Sequence, residues 1–266
     1  MEGIVRHAEY ADPATDIVFM YFVDPGKIEK YNAGKIPKII KLHDSIARYY
    51  ELPALNLAKE VTDRINHGEF TWKGDFRNLH PSPFGQGIYA RSMIGFLEKS
   101  FSGIIENNEK VEDHPLPPEL DPYCYDNGVL VEAKEIKRTK GWKFVKRWKP
   151  AINARIRPNY IKVPMLTGSY PSEAIKFTFK GNAAGIAVAA GPNAGIVEYR
   201  IDNGDWKTRD LFTRHSNLYY LPWYYVLQDE LPEGKHTLEL KLSDKKNPAS
   251  QGNKCVIRYF FYNKTE

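Results

Sequence analysis

Residues 72–86, W-K-G-D-F-R-N-L-H-P-S-P-F-G-Q, hold the side chains best suited to chemistry in this sequence. His80 is followed by prolines at positions 81 and 83, which disfavour a helix and predict a stiff, extended loop. Imidazole is the side chain whose ordinary pKa lies nearest physiological pH, so a positioned histidine suits general-base chemistry. By itself, however, the pattern is more typical of a loop histidine that hydrogen-bonds the backbone.

The elements around this loop alternate between helix and strand. Residues 1–11 predict a helix, and I-V-F-M-Y-F-V at 17–23 predicts a strand covered on both faces, as in a parallel sheet. A helix, a short strand and a further helix follow before the loop. After the loop, we expect a helix that buries one stripe, formed by Ala90, Ile94, Leu97 and Phe101. This order predicts an α/β layered domain over residues 1–104.

The run H-P-S-P-F-G-Q-G-I-Y-A resembles the last conserved block of the SGNH (GDSL-type) hydrolases, and residues 1–102 resemble the second half of that catalytic domain. The resemblance implies part of a flavodoxin-like three-layer fold, with His80 as the general base for a serine nucleophile. It also implies a bacterial esterase or deacetylase that acts on carbohydrate or lipid esters, and a secreted or periplasmic location.

The other parts of such a catalytic site depart from the family pattern. Arg77 stands where the family has its acid, and the nearest carboxylate is Asp75, which reaches His80 only if the loop bulges. Asp75 is otherwise an ordinary surface carboxylate. The sequence contains no Gly-Asp-Ser-like segment and no Gly-x-Ser-x-Gly elbow. We therefore expect either an N-terminally incomplete hydrolase, inactive as this chain and completed by a missing N-terminal segment, or a non-catalytic relative.

The character of the sequence changes after residue 104. Residues 105–127 are polar and proline-rich, which predicts a linker or a wrapping connection. Residues 128–266 contain many short strands with turn signals, which predict an antiparallel, jelly-roll-like β-sandwich. The runs A-G-I-V-E-Y-R-I-D-N-G-D-W and L-P-E-G-K-H-T-L-E-L resemble accessory β-sandwich domains found beside carbohydrate-active hydrolases.

Aromatic residues in the second half offer a hypothetical carbohydrate site. Trp223 and Tyr224 follow a proline in L-Y-Y-L-P-W-Y-Y-V-L, and exposed rings can stack on sugar faces. His215, beside Arg214, lies close in sequence and is a further candidate for substrate binding. The alternative for the rings is that they fill the sandwich core.

Composition limits the remaining possibilities. A net charge of +5 over 266 residues is too modest to indicate a nucleic-acid partner, and the basic run at 134–149 fits a lysine-protected edge strand. Cys124 and Cys255 match no metal spacing and are either paired or free. No run approaches the ~20 apolar residues of a membrane span. We expect no cofactor and no metal, and two classes of function remain: a carbohydrate esterase, or a glycan-binding or scaffolding protein.

Overall fold

A computed structural model describes residues 1–102 and 110–265 of the chain. The chain divides into two compact units, Met1–Cys124 (unit 1) and Tyr125–Glu266 (unit 2). Residues 103–109, which include the predicted end of the first domain and the start of the predicted linker, lie outside the described residues.

Unit 1 combines helices with a small parallel sheet. Its elements are α1 (Glu2–Ala11), β1 (Phe19–Met20), α2 (Pro25–Asn32), α3 (Lys38–Tyr49), β2 (Ala54–Leu55), α4 (Leu57–Asn66), a π-helical turn (Trp72–Phe76) and α5 (Pro83–Phe101). Strand β1 pairs with β2 in parallel, with Phe19 opposite Ala54 and Met20 opposite Leu55. Unit 1 is therefore an α/β unit that combines helices with two short parallel strands.

The prediction that residues 17–23 are covered on both faces was wrong. Phe19, Tyr21 and Val23 are buried in the core, whereas Met20 and Phe22 are 40% and 45% exposed. Side chains alternate between the faces of an extended segment, so only one face of this segment is covered within unit 1. A continuous apolar run in the sequence does not show whether a second layer of the structure covers the other face of the segment.

The predicted buried stripe of α5 was also wrong. The helix buries Gly85, Ile88 and Tyr89, while Ile94 and Leu97 are 52% and 47% exposed. The helix carries apolar residues on more than one side, so helical spacing alone cannot select the buried one. Helix α3 likewise carries apolar residues on more than one side: it buries Ile40 and Ala47 and exposes Ile39 and Leu42.

Residues 110–124 pack along unit 1. The guanidinium of Arg6 donates to the carbonyl of Pro117 at 2.7 Å and to the carboxylate of Glu119 at 2.8 Å. The carboxylate of Glu2 accepts a hydrogen bond from the amide of Leu120 at 2.6 Å. Because both Arg6 and Glu2 are buried on α1, this segment is fixed to the unit and wraps around it.

Unit 2 is built almost entirely of antiparallel strands. They are β3 (Gly128–Glu132), β4 (Trp142–Val145), β5 (Arg155–Ile156), β6 (Met165–Ser169), β7 (Ile175–Ala190), β8 (Ile196–Ile201), β9 (Lys207–Asp210), β10 (Tyr219–Gln228), β11 (Lys235–Leu242) and β12 (Lys254–Lys264). Pairing runs in the order β4-β6-β12-β7-β11-β8-β9, with β3 on β12 and β10 on β7. The β5–β10 pair is parallel.

The long strand β7 belongs to two sets of pairings. Its first half pairs with β11, through Ile175 to Lys180, and its second half pairs with β12 and β10. At Gly181, between the two halves, a Cβ atom would lie 1.9 Å from the carbonyl oxygen of Asn263. Only glycine allows this close backbone approach, which lets one strand serve both sets of pairings.

The Asn203-Gly204 pair predicts a hairpin turn from the sequence, and the structure confirms it. Strands β8 and β9 pair antiparallel, with Ile196 opposite Asp210 at one end and Tyr199 opposite Lys207 at the other. Asp202 and Asn203 at their connection have φ values of 50° and 62°. Asp and Asn tolerate this left-handed conformation better than other non-glycine residues, which is why the turn signal was readable from sequence.

Two clusters of buried side chains hold unit 2 together. The larger one includes Ile186 and Phe260, neither of which is exposed. The smaller one is centred on Trp148 and Tyr220, whose rings meet edge to face at 5.4 Å. Trp142, within the basic run, is also buried, in the larger cluster. The two tryptophans of that run therefore stabilise the fold and are not exposed as stacking surfaces.

Candidate functional site

The loop that carries His80 begins at a tightly braced turn. Phe76, at the end of the π-helical turn, is fully buried and stacks on Trp72 with ring centroids 5.0 Å apart. The hydroxyl of Thr71 accepts a hydrogen bond from the amide of Gly74 at 3.1 Å. Arg77 then adopts a φ of 81° and turns the chain away from the helical path. The buried aromatic ring thus fixes the position from which the loop leaves.

Short-range hydrogen bonds hold the rest of the loop. The backbone amide of His80 donates to Oδ1 of Asn78 at 2.7 Å, an Asx-turn contact. The Ser82 hydroxyl donates to the carbonyl of Asp75 and accepts from the amide of Gly85 at 3.3 Å, which caps α5. The prolines predicted a stiff loop, and these contacts give it one conformation.

The imidazole of His80 is exposed to solvent. Within the ranges 1–102 and 110–265, the structure gives its ring nitrogens no hydrogen-bond partner. The loop therefore holds the backbone of His80 and leaves its ring exposed.

The carboxylate of Asp75 is engaged elsewhere. Its Oδ2 atom accepts hydrogen bonds from the backbone amide of Thr71 at 2.8 Å and from the Thr71 hydroxyl at 2.9 Å. The amide, followed by the hydroxyl, lowers the pKa of Asp75 below its ordinary value. The structure thus places Asp75 and His80 on the same loop but does not join them by a hydrogen bond among the described residues.

The His80 loop lies at the carboxyl edge of the parallel strands. The hydroxyl of Tyr89, in the second turn of α5, accepts a hydrogen bond from the amide of Val23 at 3.3 Å, and Val23 follows β1. This contact places the N-terminal end of α5, and the loop before it, beside the end of β1. Crevices at the carboxyl ends of parallel strands are the usual ligand sites of α/β folds.

Two other polar residues at this edge act as helix caps. Oδ1 of Asp24 accepts from the amide of Lys27 at 2.9 Å and caps α2. Partial burial opposes ionisation, but the hydrogen bonds from Lys27 prevail and lower the pKa of Asp24. Asn56 caps α4 through the amide of Lys59 at 3.0 Å. Their hydrogen bonds are used to begin helices.

The aromatic residues of β10 are partly exposed. Trp223 is 44% and Tyr224 is 72% exposed. Consecutive residues of a strand point to opposite faces, so the two rings do not form one continuous platform. Tyr224 meets the ring of Phe261 edge to face at 6.5 Å. The predicted carbohydrate surface therefore divides into two faces, and the Tyr224 face carries a second aromatic ring.

His215 lies at a separate concavity of about 560 Å³ in unit 2, lined also by Arg155, Arg157 and Tyr219. Nε2 of His215 accepts a hydrogen bond from Nε of Arg214 at 3.0 Å. The guanidinium of Arg155 lies over the ring of Tyr219, 5.8 Å from its centroid. This basic and aromatic surface is suited to oxygen-rich ligands.

Two residues of the His80 loop were missed by the sequence analysis. The role of Asn78 could have been predicted, because an Asn side chain commonly accepts a hydrogen bond from the backbone amide two residues later, as in an Asx-turn. The role of Phe76 could not have been predicted, because nothing in its spacing distinguishes an anchoring ring from an exposed one.

Among the described residues, no group of three or more His, Cys, Asp or Glu side chains is arranged to hold a metal ion. No helix in those residues is long and apolar enough to cross a membrane.

Comparison with known proteins gives a class of fold. Two structures of a two-domain esterase (CEX) active on acetylated mannans match 100% of this chain, with TM-scores of 0.70 and 0.68. The sequence identities are 15% and 16%, and the second structure was co-crystallised with mannopentaose. No protein-family model and no curated protein matches the sequence.

These similarities establish the class of fold alone: an α/β domain followed by a sheet domain, as in that two-domain protein. This chain spans 68% and 67% of the two solved chains. About a third of each of those chains therefore has no counterpart here.

Proposed function

We propose that this chain carries the histidine-bearing part of a serine-type carbohydrate esterase that removes acetyl groups. The single observation that carries the proposal is the exposed, unpartnered imidazole of His80 on a braced loop at the carboxyl edge of the strands. The class of fold supports it, because the esterase it is similar to acts on acetylated mannans. The resemblance of residues 80–90 to the last SGNH block supports it independently.

His80 acts as the general base in this proposal. Its neutral imidazole takes the proton from a serine hydroxyl as the serine oxygen attacks the acetyl carbonyl. The tetrahedral intermediate collapses, and the imidazolium returns the proton to the leaving sugar hydroxyl. The same imidazole then takes a proton from water as the water oxygen attacks the acyl-enzyme carbonyl, and the imidazolium returns that proton to the serine oxygen as the C–O bond to serine breaks and the acetyl group leaves as acetic acid. The exposed ring of His80 has room for each of these transfers.

The serine comes, in this proposal, from a polypeptide segment outside this chain. Apolar side chains exposed on three elements of unit 1 support this: Met20 and Phe22 at β1, Ile39 and Leu42 on α3, Ile94 and Leu97 on α5. A helix that is apolar on more than one side belongs inside a larger unit. Strand β1 pairs only with β2 in the described part of the chain, so its other edge is free for a further strand.

Asp75 remains a proposed orienting acid for His80. It lies five residues before the histidine, on the same loop, and its carboxylate is ionised because its pKa is lowered. To orient the imidazole it must exchange its hydrogen bonds from Thr71 for one from the ring. A triad acid holds the histidine in one tautomer and stabilises its cation.

Unit 2 supports a second candidate function, glycan binding without catalysis. The observation that favours it is the exposed ring of Tyr224 beside Phe261 on one face of the sheet. One of the solved esterases was crystallised with mannopentaose, which indicates the class of ligand to test. Trp223 and His215 lie on other surfaces of unit 2 and are proposed as weaker contributors.

The test combines this chain with a separate polypeptide that supplies the serine-containing part of the domain. Hydrolysis of p-nitrophenyl acetate and of acetylated mannan is measured for the mixture, for this chain alone and for the mixture with His80→Ala. Activity confined to the mixture and removed by His80→Ala supports the proposal. Equal activity of the His80→Ala mixture contradicts it, and mannopentaose binding without hydrolysis supports the second candidate.

A further inference from the structure

Unit 2 contains a concavity of about 560 Å³ that ester hydrolysis at His80 does not use. It forms where β5 runs parallel to the start of β10, with Arg155 opposite Tyr219 and Ile156 opposite Tyr220. Concavities of this size commonly hold small organic ligands. The chemistry of its wall therefore indicates what kind of ligand it takes.

The strand pairing turns Arg155 away from the core. Tyr220 belongs to the smaller buried cluster of unit 2, and Ile156 packs against it. Consecutive residues of a strand point to opposite faces, so Arg155 and Tyr219 lie on the other side. Nη1 of Arg155 donates a hydrogen bond to the hydroxyl of Tyr219 at 3.3 Å, and Arg155 is exposed to solvent. Its guanidinium is thus held in place and accessible to a ligand.

The surroundings of the concavity are basic. Arg157, two residues after Arg155, and His215 are exposed and also line it. No aspartate or glutamate is found among its described lining residues. In the sequence, residues 136–172 include many lysines and arginines but no acidic residue. The electrostatic potential at this surface is therefore positive, which favours an anionic ligand.

The arginines of this surface have no carboxylate partner. Elsewhere in unit 2, Arg200 pairs with the carboxylate of Glu239 at 2.8 Å. Arg155, Arg157 and Arg214 form no such pair with any residue in the part of the chain that the structure describes. Three unpaired guanidinium groups therefore lie in or beside the concavity.

His215 adds a hydrogen-bond donor. Its carbonyl accepts from the amides of Leu218 and Tyr219 at 3.0 and 3.1 Å, which fixes the turn before β10. Nε of Arg214 donates to Nε2 of the imidazole at 3.0 Å, so Nε2 carries no hydrogen and Nδ1 carries the ring proton. The structure gives this Nδ1–H group no partner among residues 1–102 and 110–265. The neutral imidazole can therefore donate one hydrogen bond to an anion.

We propose that the concavity binds a phosphate monoester carried on a sugar. The guanidinium groups of Arg155 and Arg157 donate to the phosphate oxygens, and Nδ1 of His215 donates a further hydrogen bond. The sugar ring packs on Tyr219. A phosphate monoester carries about −1.5 to −2 charges at pH 7 and a carboxylate only one, so several unpaired guanidinium groups match the phosphate better.

The choice of a sugar as the carrier rests on the proposed carbohydrate esterase, whereas recognition of the phosphate does not. His80 belongs to unit 1 and the concavity to unit 2. Ester hydrolysis by the mixture and phosphate binding by this chain are therefore separate measurements, and the failure of one proposal is distinguishable from the failure of the other.

The experiment titrates the full chain by calorimetry with mannose 6-phosphate and with two matched probes, mannose and mannuronate. The three compounds share one sugar ring and differ in the charge attached to it. We expect mannose 6-phosphate to bind about tenfold more tightly than mannuronate, because charge-assisted hydrogen bonds supply the affinity. Mannose should show no measurable binding. Added sodium chloride should weaken phosphate binding, since the charges are exposed to solvent.

Three variants assign the binding to the concavity. Arg155→Gln and Arg157→Gln each remove one guanidinium and are expected to weaken mannose 6-phosphate binding about tenfold. Arg138→Gln removes the same charge from an exposed arginine of unit 2 that does not line the concavity. It should change binding less than twofold, about the range for an exposed charge. Equal melting temperatures of the variants exclude unfolding as the cause.

Three results would overturn the proposal. They are no binding of mannose 6-phosphate by the unmodified chain, equal or tighter binding of mannuronate, and undiminished binding by Arg155→Gln and Arg157→Gln. Inorganic phosphate, which lacks the ring that packs on Tyr219, should bind more weakly than mannose 6-phosphate. Equal binding of these two would overturn the role assigned to the sugar.

Discussion

Thr71 holds the carboxylate of Asp75 through two hydrogen bonds, one from its backbone amide at 2.8 Å and one from its hydroxyl at 2.9 Å. The two residues close the turn from which the His80 loop leaves. The carboxylate that sequence analysis assigned to histidine orientation therefore has a structural partner already. Stabilising the turn through Thr71 and orienting the imidazole of His80 are therefore two separate roles of Asp75, and each can be measured independently.

We predict that Asp75→Ala lowers the thermal stability of the chain at neutral pH. The lowered pKa of Asp75 means that its stabilising contribution is present above its ordinary value of 3.8 and is lost as pH falls through the folded-state value. The difference in melting temperature between the two proteins should therefore be larger at pH 7 than at pH 3. Circular dichroism melts at the two pH values measure it.

Thr71→Ala provides the matched control for this pair. Because it removes the hydroxyl half of the same contact, its effect and that of Asp75→Ala should be less than additive in the double variant. Fully additive losses would show that Asp75 stabilises the protein through other contacts. Loss of esterase activity by Asp75→Asn in the mixture with the serine-containing polypeptide, with an unchanged melting temperature, would favour the orienting role instead.

His236 and Asp202 predict a pH dependence of the stability of unit 2. The two ring nitrogens of His236 face Oδ2 of Asp202 and the carbonyl of Pro232. Burial pulls the pKa of His236 down, but these two hydrogen bonds outweigh it and raise the pKa. Burial likewise acts against the ionised form of Asp202, and the hydrogen bond from His236 outweighs it and lowers the pKa of Asp202.

The raised pKa of His236 means that its contribution to the stability of unit 2 decreases as pH rises. The contribution of His236 is present below its ordinary pKa of 6.5 and is lost as pH rises through the raised value. We expect His236→Ala to cost about 1 kcal/mol at pH 5.5, after allowance for the partial exposure of Asp202, and less at pH 8.5. Urea unfolding at both values measures the difference. His215→Ala, an exposed histidine in the same unit, should show no such trend, and an equal cost at both values would refute the assignment.

The exposed ring of Tyr224 gives a prediction for carbohydrate binding. Tyr224→Ala should weaken mannopentaose binding about tenfold, because an aromatic ring buried against a sugar face contributes more than 1 kcal/mol. Phe261→Ala removes the neighbouring ring and should weaken binding on the same face. Trp223→Ala, on the opposite face of β10, serves as the control. Calorimetric titration that finds Trp223→Ala as damaging as Tyr224→Ala would contradict a site confined to one face.

Cys255 is a free thiol, and both cysteines are buried in their own units. Cys255 is fully buried, and this burial raises the pKa of its thiol well above the ordinary value. Because the thiolate is the reactive form, Cys255 should resist iodoacetamide in the native protein and react once the chain is unfolded. Mass spectrometry before and after denaturation tests this. Rapid native labelling of Cys255 would contradict the burial.

The extent of what could be predicted from sequence differs between features. The two prolines after His80 predicted its loop, and Asp202-Asn203-Gly204 predicted a hairpin, because proline and left-handed turns have strong local preferences. The buried side of α5 was not predictable, since that depends on which neighbouring layers are present.

The most direct test of the central claim is the rate of p-nitrophenyl acetate hydrolysis by this chain combined with a serine-bearing segment. His80→Ala is compared with His67→Ala, which removes another exposed histidine of unit 1, at the end of α4. General-base catalysis contributes about 10²–10⁴-fold. We expect His80→Ala to lose activity by this factor and His67→Ala to retain it. Equal rates for the two variants would contradict the assignment of His80 as the catalytic base.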